Sequence, residues 1–311
     1  MAHAPVLCLH PEEAHQIVNA EWYLKQLLPK KSPTRRSTAL DTSTIAAAYI
    51  KQQSRLKTIS VSNKKISATP CCYVHVKQGM SDCIEIQYWF LFSGKSGSTS
   101  NIRWLVEGIT AYQGKIDLNP IGCQGGHWER ICIRFSKNEL SPQAIFLPNA
   151  EGGEWLDYSA IHKENERPLI YVSKNNHFFY HAKGLKLIEF LKFNVFSSTL
   201  EFSMYDECAG DKKINFKKYC SMVQSDLHPS EITNANWLNF EGTWGNPQPN
   251  YLNATAVAGI LKNAFGNHRG FLLGSSVLQK LSDFLIRYYG KDCHCKAQGP
   301  KQKNCWQGPE K

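Results

Sequence analysis

Gly122-Cys123-Gln124-Gly125-Gly126-His127-Trp128-Glu129-Arg130-Ile131-Cys132-Ile133-Arg134-Phe135 is the stretch on which the reading of this chain turns. Ile131, Ile133 and Phe135 alternate with Arg130, Cys132 and Arg134, the period-two pattern of a strand with one apolar face. Parity places Glu129 on that apolar face, and His127 with it if the strand reaches back that far. A carboxylate there is costly unless it is paired, protonated or bound to a cation. The three glycines just ahead permit close approach of a backbone or a ligand. They precede a strand, whereas phosphate-cradling glycine loops precede a helix, so nucleotide binding is not expected.

Outward from this strand, the pattern is mostly β. Residues 5–9, 71–77 and 84–92 read as strands, and in the last Ile84, Ile86, Tyr88, Phe90 and Phe92 share one face. The opposite face of that strand carries Trp89 and Leu91, which predicts a central strand. Further strands are expected at 144–147, 168–173, 177–181 and 185–193, with a glycine- and serine-rich loop at 94–101. Helices are expected at 14–28, at 43–56 and, most clearly, at 277–289, where Leu278, Leu281, Leu285 and Tyr288 recur at helical spacing. The expected fold class is mainly β, a single β-rich domain over 1–311. A flexible insertion is expected at 29–70 and a basic, Cys-containing tail at 290–311.

The chain has 311 residues and a formal net charge of +10. Its basic residues are spread out and no nucleic-acid motif accompanies them, so nucleic acid is not an expected partner. No stretch reaches the roughly 18 apolar residues of a transmembrane helix. The opening residues show no secretory pattern, and the cytoplasm is the expected compartment. Reduced thiols are then the default for the eleven cysteines, with Cys72, Cys132 and Cys220 expected in or near the core. Cys293, His294, Cys295 and Cys305 lie close together in the tail, with a zinc clip as the less favoured alternative to ordinary thiols.

The candidate catalytic residues are His127, Glu129 and His177. His127 and Glu129 suit either an acid/base pair or metal ligation. His177 and His181 would share one face of an extended segment, with Phe179 between them. His10 and Asp157 are weaker additions. The bland alternative is a strand-end salt bridge at Glu129 and ordinary surface histidines.

Ordered along the chain are Ala4-Pro5-Val6-Leu7-Cys8-Leu9-His10-Pro11-Glu12-Glu13, Tyr88-Trp89-Phe90-Leu91-Phe92, the 122–135 stretch, Gly152-Gly153-Glu154-Trp155 and Arg167-Pro168-Leu169-Ile170-Tyr171-Val172-Ser173-Lys174-Asn175-Asn176-His177. Trp237-Leu238-Asn239-Phe240 with Gly242, Trp244 and Gly245 follows, and Gly299-Pro300 with Cys305-Trp306 closes the series. This order resembles the Vps62-related family, with a more distant likeness to necrosis- and ethylene-inducing-like proteins. The resemblance implies a β-sandwich with peripheral helices. It also implies a divalent-cation site, which would fall on Gln124, His127 and Glu129. Here the family's two motif aspartates are replaced by Cys123 and His127 and its histidine by Gln124. That set favours no ion, or Zn²⁺ over Ca²⁺ or Mg²⁺. Asp117 and Asp157 are the candidates to replace the missing carboxylates.

The leading functional expectation is an intracellular enzyme of specialised metabolism acting on a small organic molecule without a redox cofactor, as a lyase, cyclase or isomerase. The alternatives are a non-catalytic lipid- or glycan-binding or vacuolar trafficking protein, and a membrane-active cytotoxic protein.

Overall fold

The computed structural model describes residues 2–27, 69–79, 83–116, 118, 121–195, 197–226, 235–240, 244–245, 254–266, 275–293 and 298–306. The chain is mainly β, and its described strands form three sheets. The largest runs in the order β15 (Cys220–Ser225), β2 (Cys72–Gln78), β3 (Cys83–Lys95), β6 (Gln124–Ser136), β7 (Pro142–Leu147) and β8 (Glu154–Asp157). A second sheet orders β11 (Phe179–Tyr180), β10 (Arg167–Val172), β1 (Val6–Leu9) and β14 (Lys212–Asn215), with β9 (Lys163–Glu164) on β10. The third is β12 (Gly184–Val195), β13 (Ser198–Cys208), β4 (Thr99–Val106) and β5 (Ile109–Ile116).

The first two sheets share one apolar core. Tyr88, Phe90, Phe92, Ile131, Ile133 and Phe135 supply it from the large sheet, and Leu7, Leu9, Ile170 and Phe179 from the facing one. This is a β-sandwich, and the alternation in 84–92 and 131–135 is what builds it. β3 lies between β2 and β6, the central place its two apolar faces predict. Its other face, with Trp89 and Leu91, packs with Trp128, Trp237, Trp244 and Trp306 and with helix α1 (Ala20–Leu27). The third sheet packs Ile102, Leu200 and Phe202 against Val257 of α2 (Ala254–Gly266) and Leu281 and Leu285 of α3 (Ser275–Cys293). Among the described residues no helix is long and apolar enough to cross a membrane.

Several expectations need correction. Residues 94–101 are not one loop: β3 runs to Lys95 and β4 begins at Thr99. The first helix starts at Ala20 rather than 14, because 16–18 pair with the far end of β3; Val18 N–H donates to the Leu91 carbonyl at 2.8 Å. The strand expected at 177–181 shrinks to Phe179–Tyr180. β4, β5 and β13 lie outside the predicted elements, although Leu200, Phe202 and Met204 alternate with polar residues along β13 as a half-buried strand should. The insertion expected at 29–70 (apart from 69–70), the helix at 43–56, Asp117, His294 and Cys295 all lie outside the described residues. Cys72 and Cys132 are fully buried and Cys220 is half-buried.

Candidate functional site

The strand β6 begins beside a close crossing of chain. Gly126 adopts φ +53°, and a Cβ there would collide with the Trp244 carbonyl and meet Tyr23 Oη at 2.6 Å. A Cβ on Gly245 would collide in turn with the Gly125 carbonyl. Glycine at these positions therefore lets the 244–245 segment lie directly on β6.

Beyond the crossing, His127 and Glu129 stand on the sandwich-core face, paired in register with Phe92 and Phe90 of β3. His127 Nε2 lies 3.1 Å from Glu129 Oε1. Burial raises the cost of the Glu129 charge, but Lys303 and the His127 contact outweigh it and hold the carboxyl at about 2. Burial pushes the His127 imidazole down to about 4, against the opposing pull of Glu129. At neutral pH the pair is thus a carboxylate and a neutral ring. Lys303 reaches the site from the tail by donating to the Trp128 carbonyl at 2.6 Å.

A second imidazole–carboxylate pair meets the first. His177 is fully buried in the turn after β10, with φ +64°, a backbone conformation that costs a non-glycine residue free energy. Its N–H donates to the Ser173 carbonyl at 3.2 Å, which closes the turn. Its ring stacks on Phe92 at 3.9 Å between centroids and lies 5.9 Å from the His127 ring. Its Nε2 is 3.4 Å from Glu13 Oε1, off hydrogen-bond direction, and neither ring nitrogen has a hydrogen-bond partner. Glu13 accepts the N–H groups of Asn175 and His15, each at 2.7 Å. Burial opposes its charge, and His177 together with these donors brings the carboxyl to about 2.

His15 completes the group. It packs edge-on to His177 at 5.8 Å, and its Nε2 lies 3.0 Å from Ser96 Oγ. Burial, then His177, lowers its pKa to about 4. Gly94 leaves room for it: a Cβ there would sit 3.0 Å from His15 Nδ1.

The structure therefore brings His127, Glu129 and His177 to one end of the sandwich, with Glu13 and His15 added. Sequence reasoning missed these two as site residues, although Glu13 lies in the acidic run after the first strand. Three other positions fall elsewhere. His181 is exposed and outside β11, because the left-handed turn at His177 breaks the extended run. His10 faces Glu207 at 3.7 Å. Asp157 caps a short 3₁₀ turn by accepting the Ser159 N–H at 2.8 Å.

The expected cation set does not fit. Gln124 lies one step out of parity with His127 and Glu129, and its Nε2 donates to the Gly126 carbonyl at 3.5 Å. The Glu129 carboxylate faces an imidazole and the Lys303 charge. Among the described residues no three His, Cys, Asp or Glu side chains converge as metal ligands.

The sequence pattern of the family described as vacuolar protein sorting-associated protein 62 matches residues 1–310. The chain belongs to the Vps62 family. No curated protein and no solved structure gives a match. The comparisons thus bring no support for the likeness to necrosis- and ethylene-inducing-like proteins. Within this Vps62 chain, the match takes in every residue of the His/Glu group and Lys303.

Proposed function

We propose that this protein is an acid–base enzyme acting on a small organic molecule without a redox cofactor, in a lyase- or isomerase-type reaction. One observation carries the reading: two buried imidazole–carboxylate pairs, His127–Glu129 and His177–Glu13, face each other with their rings 5.9 Å apart. Ordinary core histidines are hydrogen-bonded; His177 has both nitrogens without partners. Both carboxyls are ionised at neutral pH and His15 and His127 are neutral. Those groups are unprotonated at neutral pH, the state from which a general base starts, and their low pKa values favour the return of the proton to the substrate over its abstraction. Glu129 and Glu13 would orient the rings and stabilise the imidazolium formed in between.

The test uses a metabolite extract, because the substrate is unnamed. Purified protein, Glu129→Gln and His127→Ala are incubated with the extract and the products resolved by mass spectrometry. A lyase or isomerase gives a consumed and a formed species of equal mass, or species related by loss of a neutral fragment. Both variants should slow this by ~100-fold or more, the upper part of the acid/base range. Indistinguishable profiles from all three folded proteins would defeat the proposal. That result would favour the second reading, a trafficking or ligand-binding role, for which the family's description speaks.

A further inference from the structure

The edge strand β15 of the largest sheet runs parallel to β2, and Cys220 lies directly opposite Cys72 in their register. The Cys72 N–H donates to the Tyr219 carbonyl at 2.9 Å, which holds that register at the start of both strands. Opposite residues of neighbouring strands point to the same face of a sheet. Here it is the sandwich-core face: Cys72 belongs to the core with Val74 and Val76, and Cys220 and Met222 pack against it. The two thiols meet there, with the Cys72 S–H donating to the Cys220 sulfur.

The partners are chemically unequal. Cys72 is fully buried, and burial raises its pKa well above the ordinary value, so it stays a thiol. Cys220 is half-buried at the sheet edge. The hydrogen bond from Cys72 lowers its pKa against the opposing effect of burial, and the Arg167 guanidinium of the facing strand β10 lowers it further. Arg167 is itself pinned in place, donating to the Ala4 carbonyl at 2.8 Å and the Pro5 carbonyl at 3.3 Å. A partly open cysteine beside a fixed cation and a donor is the kind that oxidants attack first. Cys71 differs on both counts: it packs on the opposite face, and burial pushes its thiol up to about 11.

We propose that Cys72 and Cys220 are a peroxide-responsive pair that closes to a reversible disulfide. The Cys220 thiolate attacks one oxygen of hydrogen peroxide, the O–O bond breaks, and the departing hydroxide takes up a proton as water. Cys220 is left as a sulfenic acid. The Cys72 sulfur then displaces the sulfenic hydroxyl, which leaves with the Cys72 proton as a second water, and the S–S bond forms. Two electrons pass from the two thiols to the peroxide. Neighbouring strands lie about 4.8 Å apart, within the ~4.4–6.8 Å Cα separation a disulfide spans but toward its short end, so external thiols should reopen the bond readily. Closed, it ties the edge strand β15 to β2. The inference is independent of the acid–base reading, since it uses no residue of the His/Glu group.

Peptide mapping of the full chain tests it. Reduced protein is treated with an equimolar amount of hydrogen peroxide, alkylated and digested without reductant. The expected result is a loss of two hydrogens per chain, a cross-link between Cys72 and Cys220, and reversal of both by dithiothreitol. In Cys72→Ala, dimedone should trap a sulfenic acid at Cys220 that wild type consumes in the cross-link. In Cys220→Ala the loss of two hydrogens should disappear. Urea midpoints of the reduced variants check their folding, and the wild-type map decides the matter even if a variant fails to fold. The proposal is overturned if Cys220 gains oxygen without forming the cross-link, if it joins Cys71 or another cysteine instead, or if it stays a free thiol while other cysteines oxidise.

Discussion

Replacing Glu129 with Gln keeps the shape of the side chain and removes its charge. The carboxyl stands at about 2 in the folded protein against an ordinary 4.5. That difference, at ~1.4 kcal/mol per pKa unit, makes the charged form worth ~3 kcal/mol of folding stability at pH 7. The sign follows from the depressed pKa: the contribution is present above pH 4.5 and is lost as pH falls toward 2. Urea unfolding of wild type and Glu129→Gln at pH 7 should therefore differ by ~3 kcal/mol, and the difference should shrink below pH 4.5. It should be smaller in a Lys303→Met background, because Lys303 is the largest of the groups favouring the charge. Two results would refute the reasoning. If the variant were as stable as wild type within ~0.5 kcal/mol, Lys303 and His127 would merely offset burial. If it were more stable, burial would dominate and the carboxylate would be retained at a net cost.

Two other outcomes follow from the same structure. His15 and His127 are lowered to about 4, so the folded form refuses protons that the unfolded chain accepts, and stability should fall as pH drops from 6.5 through 4. Asp206, raised to about 6 by burial against the hydrogen bonds of Tyr180 and Asn176, works in the opposite sense, losing stability as pH rises from 3.8 to 6. Asp206→Asn should then lose stability toward acid more steeply than wild type in urea titrations, and a flat profile for that variant between pH 6.5 and 4 would contradict the assignment. Gly126→Ala should cost more than ~2 kcal/mol, since φ +53° disfavours a side chain and its Cβ would collide with the Trp244 carbonyl; an unchanged melting temperature would show that the 244–245 crossing gives way freely.

Local sequence pattern determined the sandwich core. Alternation is a property of the extended backbone, so Ile131, Ile133 and Phe135, with Ile84 to Phe92, name their own faces and pair as neighbours in one sheet. The same parity placed His127 and Glu129 together, because residues two apart on a strand need no tertiary information to share a side. Helix α3 was legible for the equivalent reason at the helical period. The rest of the site depended on contacts no local pattern encodes. Glu13 and His15 reach it because the chain after β1 crosses to the open side of β3, more than 70 residues away in sequence. His177 reaches it through a left-handed turn, which breaks the two-residue period and separates it from His181. Lys303, which sets the charge of Glu129, comes from the far end of the chain through a single side-chain hydrogen bond to the Trp128 carbonyl. Which groups share a low-dielectric interior is fixed only when the sheets close, and that closure decides which carboxyls are ionised and which imidazoles are neutral.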